Sequence, residues 1–292
     1  MKKLWMEYKA IAGDVYQQEF SDFLIYRPLA FLLVKLLVLT PMTPNLISFI
    51  ALGFGVATGV FYSAGTAQGF FYGGLCLMAF SLLDCCDGML ARMKGLKDPF
   101  GELVDMFVDL VANIFIFFGL GKGVAQLAPG PVFPLGWMVA MGAFVIFIHA
   151  SVYHYFRKQY QACLSNDPDA RNKKLGYFRQ ELERLQAQKK STFKQFVIRL
   201  FLNFSKLQSD HPEEVKLDCK RYCELNKYTL FGWGLLAGSN HLTAMAISTM
   251  LGGPNTYFVY ALVFANSWLI VMWIIQNYIN SKLAKGHRSQ FA

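Results

Sequence analysis

The sequence predicts an all-α integral membrane protein, and three observations carry that expectation. Of 292 residues, 54% are hydrophobic and 16% charged, an apolar excess beyond that of soluble domains. Apolar runs recur that are long enough to cross a bilayer, which takes about 20 residues of helix. The cations are segregated: with the N-terminus inside and six crossings, Lys122 is the one Lys or Arg of 28 that falls outside. An odd number of crossings would divide them, and basic residues accumulate on the cytoplasmic side. The expected architecture is six transmembrane helices preceded by an interfacial amphipathic helix. A cytoplasmic helical insertion lies between spans 4 and 5, and both termini are cytoplasmic.

Residues 1–43 form a cytoplasmic and interfacial segment of a single membrane domain. Met1-Lys2-Lys3 resembles the start of a signal peptide, but Trp5 to Glu19 is too polar for its apolar core. Phe20 to Leu39 is apolar yet interrupted by Arg27, Pro28 and Lys35. A helix lying along the surface keeps those charges out of hydrocarbon, so it is favoured over a frayed first span. Residues 44–157 hold spans near 45–63, 70–92, 101–121 and 135–157. Thr43-Pro44 opens the first, since Pro at a helix start gives up no hydrogen bond. Asn45 and Ser48, one turn apart, serve either as caps or as hydrogen-bonding partners of a ligand. Residues 158–227 are the polar insertion. In it Phe193, Phe196, Val197, Leu200, Phe201 and Phe204 share one stripe, which suits a membrane surface or the end of the bundle equally. Residues 228–292 hold spans near 228–250 and 257–281 and the tail.

The chemistry concentrates in Asp84 to Asp109: Asp84-x2-Asp87-Gly88-x2-Ala91-Arg92, eight residues, then Gly101-x3-Asp105-x3-Asp109. Asp84 and Asp87 share one helix face, and Gly101, Asp105 and Asp109 share another. If Met93–Phe100 is a turn, two antiparallel helices turn these faces toward each other. Gly88, Ala91 and Gly101 let the backbones approach and leave room for a ligand. One ionised Asp in a membrane helix costs roughly 2.5–3.5 kcal/mol. Four together also repel one another. Hard divalent cations with oxygen ligands, Mg²⁺ or Mn²⁺, answer both problems.

This pattern resembles the motif of the CDP-alcohol phosphotransferases (CDP-alcohol phosphatidyltransferases), membrane enzymes that make phospholipid head groups, at every fixed position. The Arg27-Pro28…Pro44-Asn45-x2-Ser48 arrangement is similar to the segment before the first span in bacterial members. The resemblance implies transfer from a CDP-linked donor, CDP-diacylglycerol first, to an alcohol hydroxyl, releasing CMP in phospholipid biosynthesis. It implies two bound Mg²⁺ or Mn²⁺ ions held by Asp84, Asp87 and Asp105. Asp109 is then the general base and also touches the second ion. Gly88 and Gly101 give close access, Arg92 pairs with donor phosphate or cytosine, and Asn45 and Ser48 approach the nucleotide. A homodimer and a bacterial inner membrane location, with a cytoplasm-facing site, are further implications. Two departures stand out. Asp98 occupies a turn where relatives offer a hydroxyl. Leu110 stands where relatives with phosphorylated acceptors place Arg, which speaks against such an acceptor.

Other classes are weighed against this. A CDP-linked small alcohol could be the donor with a lipid acceptor. A divalent-cation transporter would also bury carboxylates. Arg92 beside the acids, the glycines and the expected lack of broken helices elsewhere oppose it. The net charge of +9 reads as cytoplasmic loops rather than nucleic-acid binding. The six cysteines show no disulfide or zinc spacing. His149 and His154 do not share a face, and His241 stands alone in a span. All three are expected to pack within the bundle.

Overall fold

The computed structural model describes residues 2–96, 99–127, 132–165, 170–188, 191–207, 219–251 and 253–288, which form helices and turns with no strand among them. In chain order these are α1 (Lys2–Ala12), α2 (Arg27–Leu37), α3 (Pro44–Tyr62), α4 (Ala67–Met93), α5 (Pro99–Leu127) and α6 (Val132–Ser165). Then come α7 (Ala170–Ala187), α8 (Thr192–Leu207), α9 (Cys219–Gly234), α10 (Gly238–Leu251), α11 (Pro254–Val259) and α12 (Asn266–Arg288). A π-helical segment, Tyr260–Ala265, joins α11 to α12 without a break. Asp98 and Lys97 of the motif turn lie outside the described residues, as do His211 and the outer loop around 128–131.

Local chemistry sets the ends of the motif helices. Thr43 caps α3 by accepting the Leu46 N–H at 3.3 Å, with Pro44 at the first position. Thr66 caps α4 through the Gly69 N–H at 3.0 Å. α4 ends where Gly95 takes φ +66°. The Gly95 N–H reaches Arg92 O at 3.2 Å and the Leu96 N–H reaches Ala91 O at 2.9 Å. That pair of bonds is the glycine-terminated helix end a left-handed residue permits.

Among the described residues, five helical stretches are long and apolar enough to cross a membrane: Pro44–Tyr62, Ala67–Met93, Pro99–Leu127, Val139–Ser165 and Pro254–Leu283. The chain is therefore an all-α integral membrane protein. The span expected at 228–250 is not one helix. α9 ends at Gly234 and α10 begins at Gly238, so a broken helix exists where none was expected. Backbone groups freed inside a bundle must find partners. Leu235, Leu236 and Ala237 N–H groups bond three residues back, at 3.0–3.3 Å. At the start of α10, the Ser239 N–H donates to the Glu19 carboxylate at 2.9 Å. Asn240 Oδ1 accepts the Ser21 N–H at 2.7 Å. The N-terminal segment thus closes the gap.

That segment is helical where an amphipathic helix was expected, in a π-turn Asp22–Tyr26 running into α2. Ala30, Phe31 and Val34 pack on Ile47, Cys86, Met89 and Leu90, while Leu29, Leu32 and Leu36 face outward. Arg27 is held by Asp22 at 3.9 Å and by the Ala12 carbonyl. Lys35 pairs with Glu7 at 2.7 Å.

α3 packs on both α4 and α5. A Cβ at Gly55 would sit 2.6 Å from that of Ala112, and a Cβ at Gly119 would collide with the Gly59 backbone. Small residues at such a crossing let membrane helices touch along their main chains. In the insertion, Phe178, Leu185, Val197 and Ile198 of α7 and α8 bury against Leu103 of α5. Phe193 and Phe196 flank Phe107, with ring centroids 5.4 and 6.2 Å away. The apolar stripe of α8 therefore serves the end of the bundle.

Candidate active site

The turn after α4 is fixed from outside. Lys94 Nζ donates to the carbonyls of Thr40 at 2.9 Å and Met42 at 2.8 Å, locking the end of α4 to the loop before α3. α5 then returns beside α3, and the faces of α4 and α5 that carry acids meet. Carboxylate oxygens of Asp84, Asp105 and Asp109 lie within 4.8 Å of one another. Asp105 Oδ1 is buried and has no hydrogen-bond partner among the described residues. Oxygens around a Mg²⁺ ion at about 2.1 Å from it stand about 3–4 Å apart, so small side-chain adjustments fit this trio to such an ion. The donor set, oxygen alone, also matches. The trio can hold a metal ion.

Asp87 does not belong to that trio. It is buried, and Ser48 of α3 donates a hydrogen bond to its Oδ2 while also lying 3.2 Å from the Pro44 carbonyl. The spacing of the motif places Asp87 on the α4 face, but its hydroxyl partner comes from another helix. Asn45 is half-buried in the first turn of α3, one turn before Ser48. Gly88 borders open space: a Cβ there would meet nothing nearer than the guanidinium nitrogens of Arg92 at 3.8 Å. Arg92 is exposed and bends back over Gly88. Gly101 sits partly buried in the first turns of α5.

Charges from beyond the motif lie within electrostatic reach of it. Glu19 and Asp22 act electrostatically on Asp109, and Asp22 on Asp84 as well. Arg27 and Arg157 act on Arg92. Burial, followed by Glu19, pushes the Asp22 carboxyl up to about 7, against the pull of Arg27. Arg27 belongs to the Arg27-Pro28 pattern, whereas Glu19, Asp22 and Arg157 carry no motif in sequence. The signal that could have pointed to them is a buried ion pair forced into an otherwise apolar segment, Asp22 and Arg27 in Phe20 to Leu39.

Away from this space, the expectation that the histidines pack in the bundle holds for His149 and His241, both fully buried, while His154 is exposed. His149 and His241 also pair with each other, which sequence distance hides.

Comparison with known proteins agrees with the acidic geometry. The model of the CDP-alcohol phosphatidyltransferase family matches residues 41–208, which include α3, α4 and α5 with all four aspartates. No curated protein matches the chain. Two facing helices with a half-buried carboxylate trio, in a chain whose larger part fits that family, leave one assignment: the chain belongs to the CDP-alcohol phosphatidyltransferase family, transferases of substituted phosphate groups that pass a CDP-alcohol's phosphoryl group to a second alcohol.

Proposed function

We propose that the protein transfers the phosphatidyl group of CDP-diacylglycerol to the hydroxyl of a water-soluble alcohol, releasing CMP, as a step of phospholipid synthesis. The observation that carries this is the half-buried trio of Asp84, Asp105 and Asp109, whose oxygens lie within 4.8 Å. Asp84, Asp105 and Asp109, with Asp87 beside them, would hold two Mg²⁺ or Mn²⁺ ions. What such an ion supplies when bound is neutralisation of the donor diphosphate and acidification of the acceptor hydroxyl.

The chain's own residues do the rest. Gly88 leaves space for the nucleotide, and Arg92 pairs with a donor phosphate as a planar fork. Ser48 orients Asp87, with Asn45 and Gly101 at the edge of the donor site. Asp109 takes the proton of the acceptor hydroxyl. The acceptor oxygen bonds to the phosphorus distal to cytidine, and the bond from that phosphorus to the oxygen of CMP breaks.

The membrane arrangement follows the same reading. α9 and α10 together make the fifth of six crossings, supported by the packing of α9 on α6 and α12 and of α10 on α4. Both ends and the aspartates then face the cytoplasm of a bacterial inner membrane, where water-soluble acceptors are found.

The test is purified protein with Mn²⁺, CDP-diacylglycerol and a panel of alcohols, read by mass spectrometry of lipid products and by CMP release. Chelation with EDTA should stop it. CMP formation only from CDP-linked small alcohols would reverse donor and acceptor. Cation flux into proteoliposomes without CMP from any donor would overturn the enzymatic reading.

A further inference from the structure

Resting on that reading, the metal site has a support that lies outside it. At about 100° per residue, Phe100, Leu103 and Phe107 share one side of α5. Asp105 and Asp109 stand on the opposite side, where they meet Asp84 of α4. The first side is the one the α7–α8 insertion grips. Leu103 is buried among Phe178, Leu185, Val197 and Ile198, and Phe100 and Phe107 pack on the same cluster. Phe193 and Phe196 of α8 stand edge-on to Phe107, at interplanar angles of 85° and 87°. Rings in that arrangement attract beyond the area they bury. Lys194 Nζ lies over the Phe100 ring, 4.9 Å from its centroid, and Lys174 pairs with Glu102.

This stretch of α5 needs a hold from behind. Three carboxylates with oxygens within 4.8 Å repel one another when ionised, and that repulsion drives the start of α5 away from α4. Val104 and Val108 fix α5 sideways in the main core. The close crossing with α3, Ala112 at Gly55 and Gly119 at Gly59, begins roughly two turns beyond Asp105. Directly behind the acids stand α7 and α8.

We propose that Phe107 is a positioning residue for the metal site. Pressed by Phe193 and Phe196, it holds the start of α5 at the rotation and distance that bring Asp105 and Asp109 to Asp84. Phe107 acts through those two carboxylates, so the cytoplasmic insertion sets how tightly the site binds a divalent cation.

The experiment titrates Mn²⁺ into the full-length protein in detergent, without substrate, and follows free Mn²⁺ by electron paramagnetic resonance. Phe107→Ala should weaken Mn²⁺ binding about tenfold or more, the scale for a group that orients metal ligands. Phe107→Leu should keep most of the affinity. In CMP release, saturating Mn²⁺ should return kcat and donor KM of Phe107→Ala to near wild type. Phe196→Ala alters a side chain already 54% exposed, so it should fold normally and weaken binding in the same direction by a smaller factor. His241→Leu loosens the bundle far from α8 and should bind Mn²⁺ as the wild type does. Unchanged Mn²⁺ affinity in Phe107→Ala, or in Phe196→Ala if Phe107→Ala does not fold, would overturn this assignment. So would an equal loss in His241→Leu. Mn²⁺ binding without CMP from any donor would fell the reaction and leave this assignment standing. A wild type that binds no Mn²⁺ would fell both.

Discussion

His149 Nδ1 in α6 lies 3.0 Å from His241 Nε2 in α10, and both rings are fully buried. Tyr260 and Tyr257 surround His241, with ring centroids 5.5 and 6.4 Å away. One imidazole must donate and the other accept. Removing one ring leaves a buried polar nitrogen facing apolar atoms, at about 1–3 kcal/mol. His241→Leu should therefore lower the melting temperature in detergent by several degrees. The double variant His149→Leu with His241→Leu should regain most of the loss, because neither nitrogen is then orphaned. A single variant as stable as wild type would show that the pair contributes nothing.

The carboxylate trio separates by role. Asp109→Asn should reduce turnover by about 10²-fold or more, the scale of a lost general base, while donor binding persists. Asp84→Asn or Asp105→Asn should instead raise the Mn²⁺ concentration needed for half-maximal rate. Wild-type turnover by Asp109→Asn would refute its assignment as base.

Ser48 touches the acids only through Asp87. Loss of a partner that orients a ligand carboxylate typically costs about 10–100-fold in metal affinity or activity. Ser48→Ala should show a loss of that size, smaller than the loss in Asp105→Asn, and Ser48→Thr should retain more activity than Ser48→Ala. If Ser48→Ala titrates with Mn²⁺ as wild type does, Asp87 does not depend on α3.

Gly88→Ala adds a methyl group beside Arg92 without a clash. Alanine also favours a helix interior by up to about 1 kcal/mol over glycine. The variant should melt at or above the wild-type temperature, yet its donor KM should rise. A stable variant with unchanged donor KM would mean that the nucleotide passes elsewhere.

Asp22 gives a pH signature. Its folded-state carboxyl titrates near 7, against about 3.9 in an unfolded chain. Between those values the folded protein keeps a proton that the unfolded chain has lost. Stability from this group is full below about pH 4, falls as pH rises toward 7, and is level above. Thermal melts at pH 5 and pH 8 should show a larger drop for wild type than for Asp22→Asn. Parallel profiles would mean that Asp22 ionises freely.

What could be read from sequence was local. Asp84, Asp105 and Asp109 follow helical spacing, so their convergence needed only one turn between two helices. Ser48 was visible as a residue, but its bond to Asp87 crosses to another helix. The break at Leu235–Ala237 escaped because hydropathy sees an apolar run, although Gly234, Gly238, Ser239 and Asn240 are the residue types that end and begin helices. The α8 stripe fits a lipid surface or a protein face alike, and Leu103 and Phe107 of α5 decide between them.

The bonds that close the start of α10 join residues 219 and 220 positions apart, Ser21 to Asn240 and Glu19 to Ser239. A ribosome adding about 5–20 residues per second needs roughly 10–40 s to cover that interval. For all that time the opening of the chain is made and its anchorage is not. Assembly must therefore finish backwards, with Glu19 and Ser21 seated only after α10 has emerged, and the nascent protein must shelter Glu19, Asp22 and Arg27 in water until then.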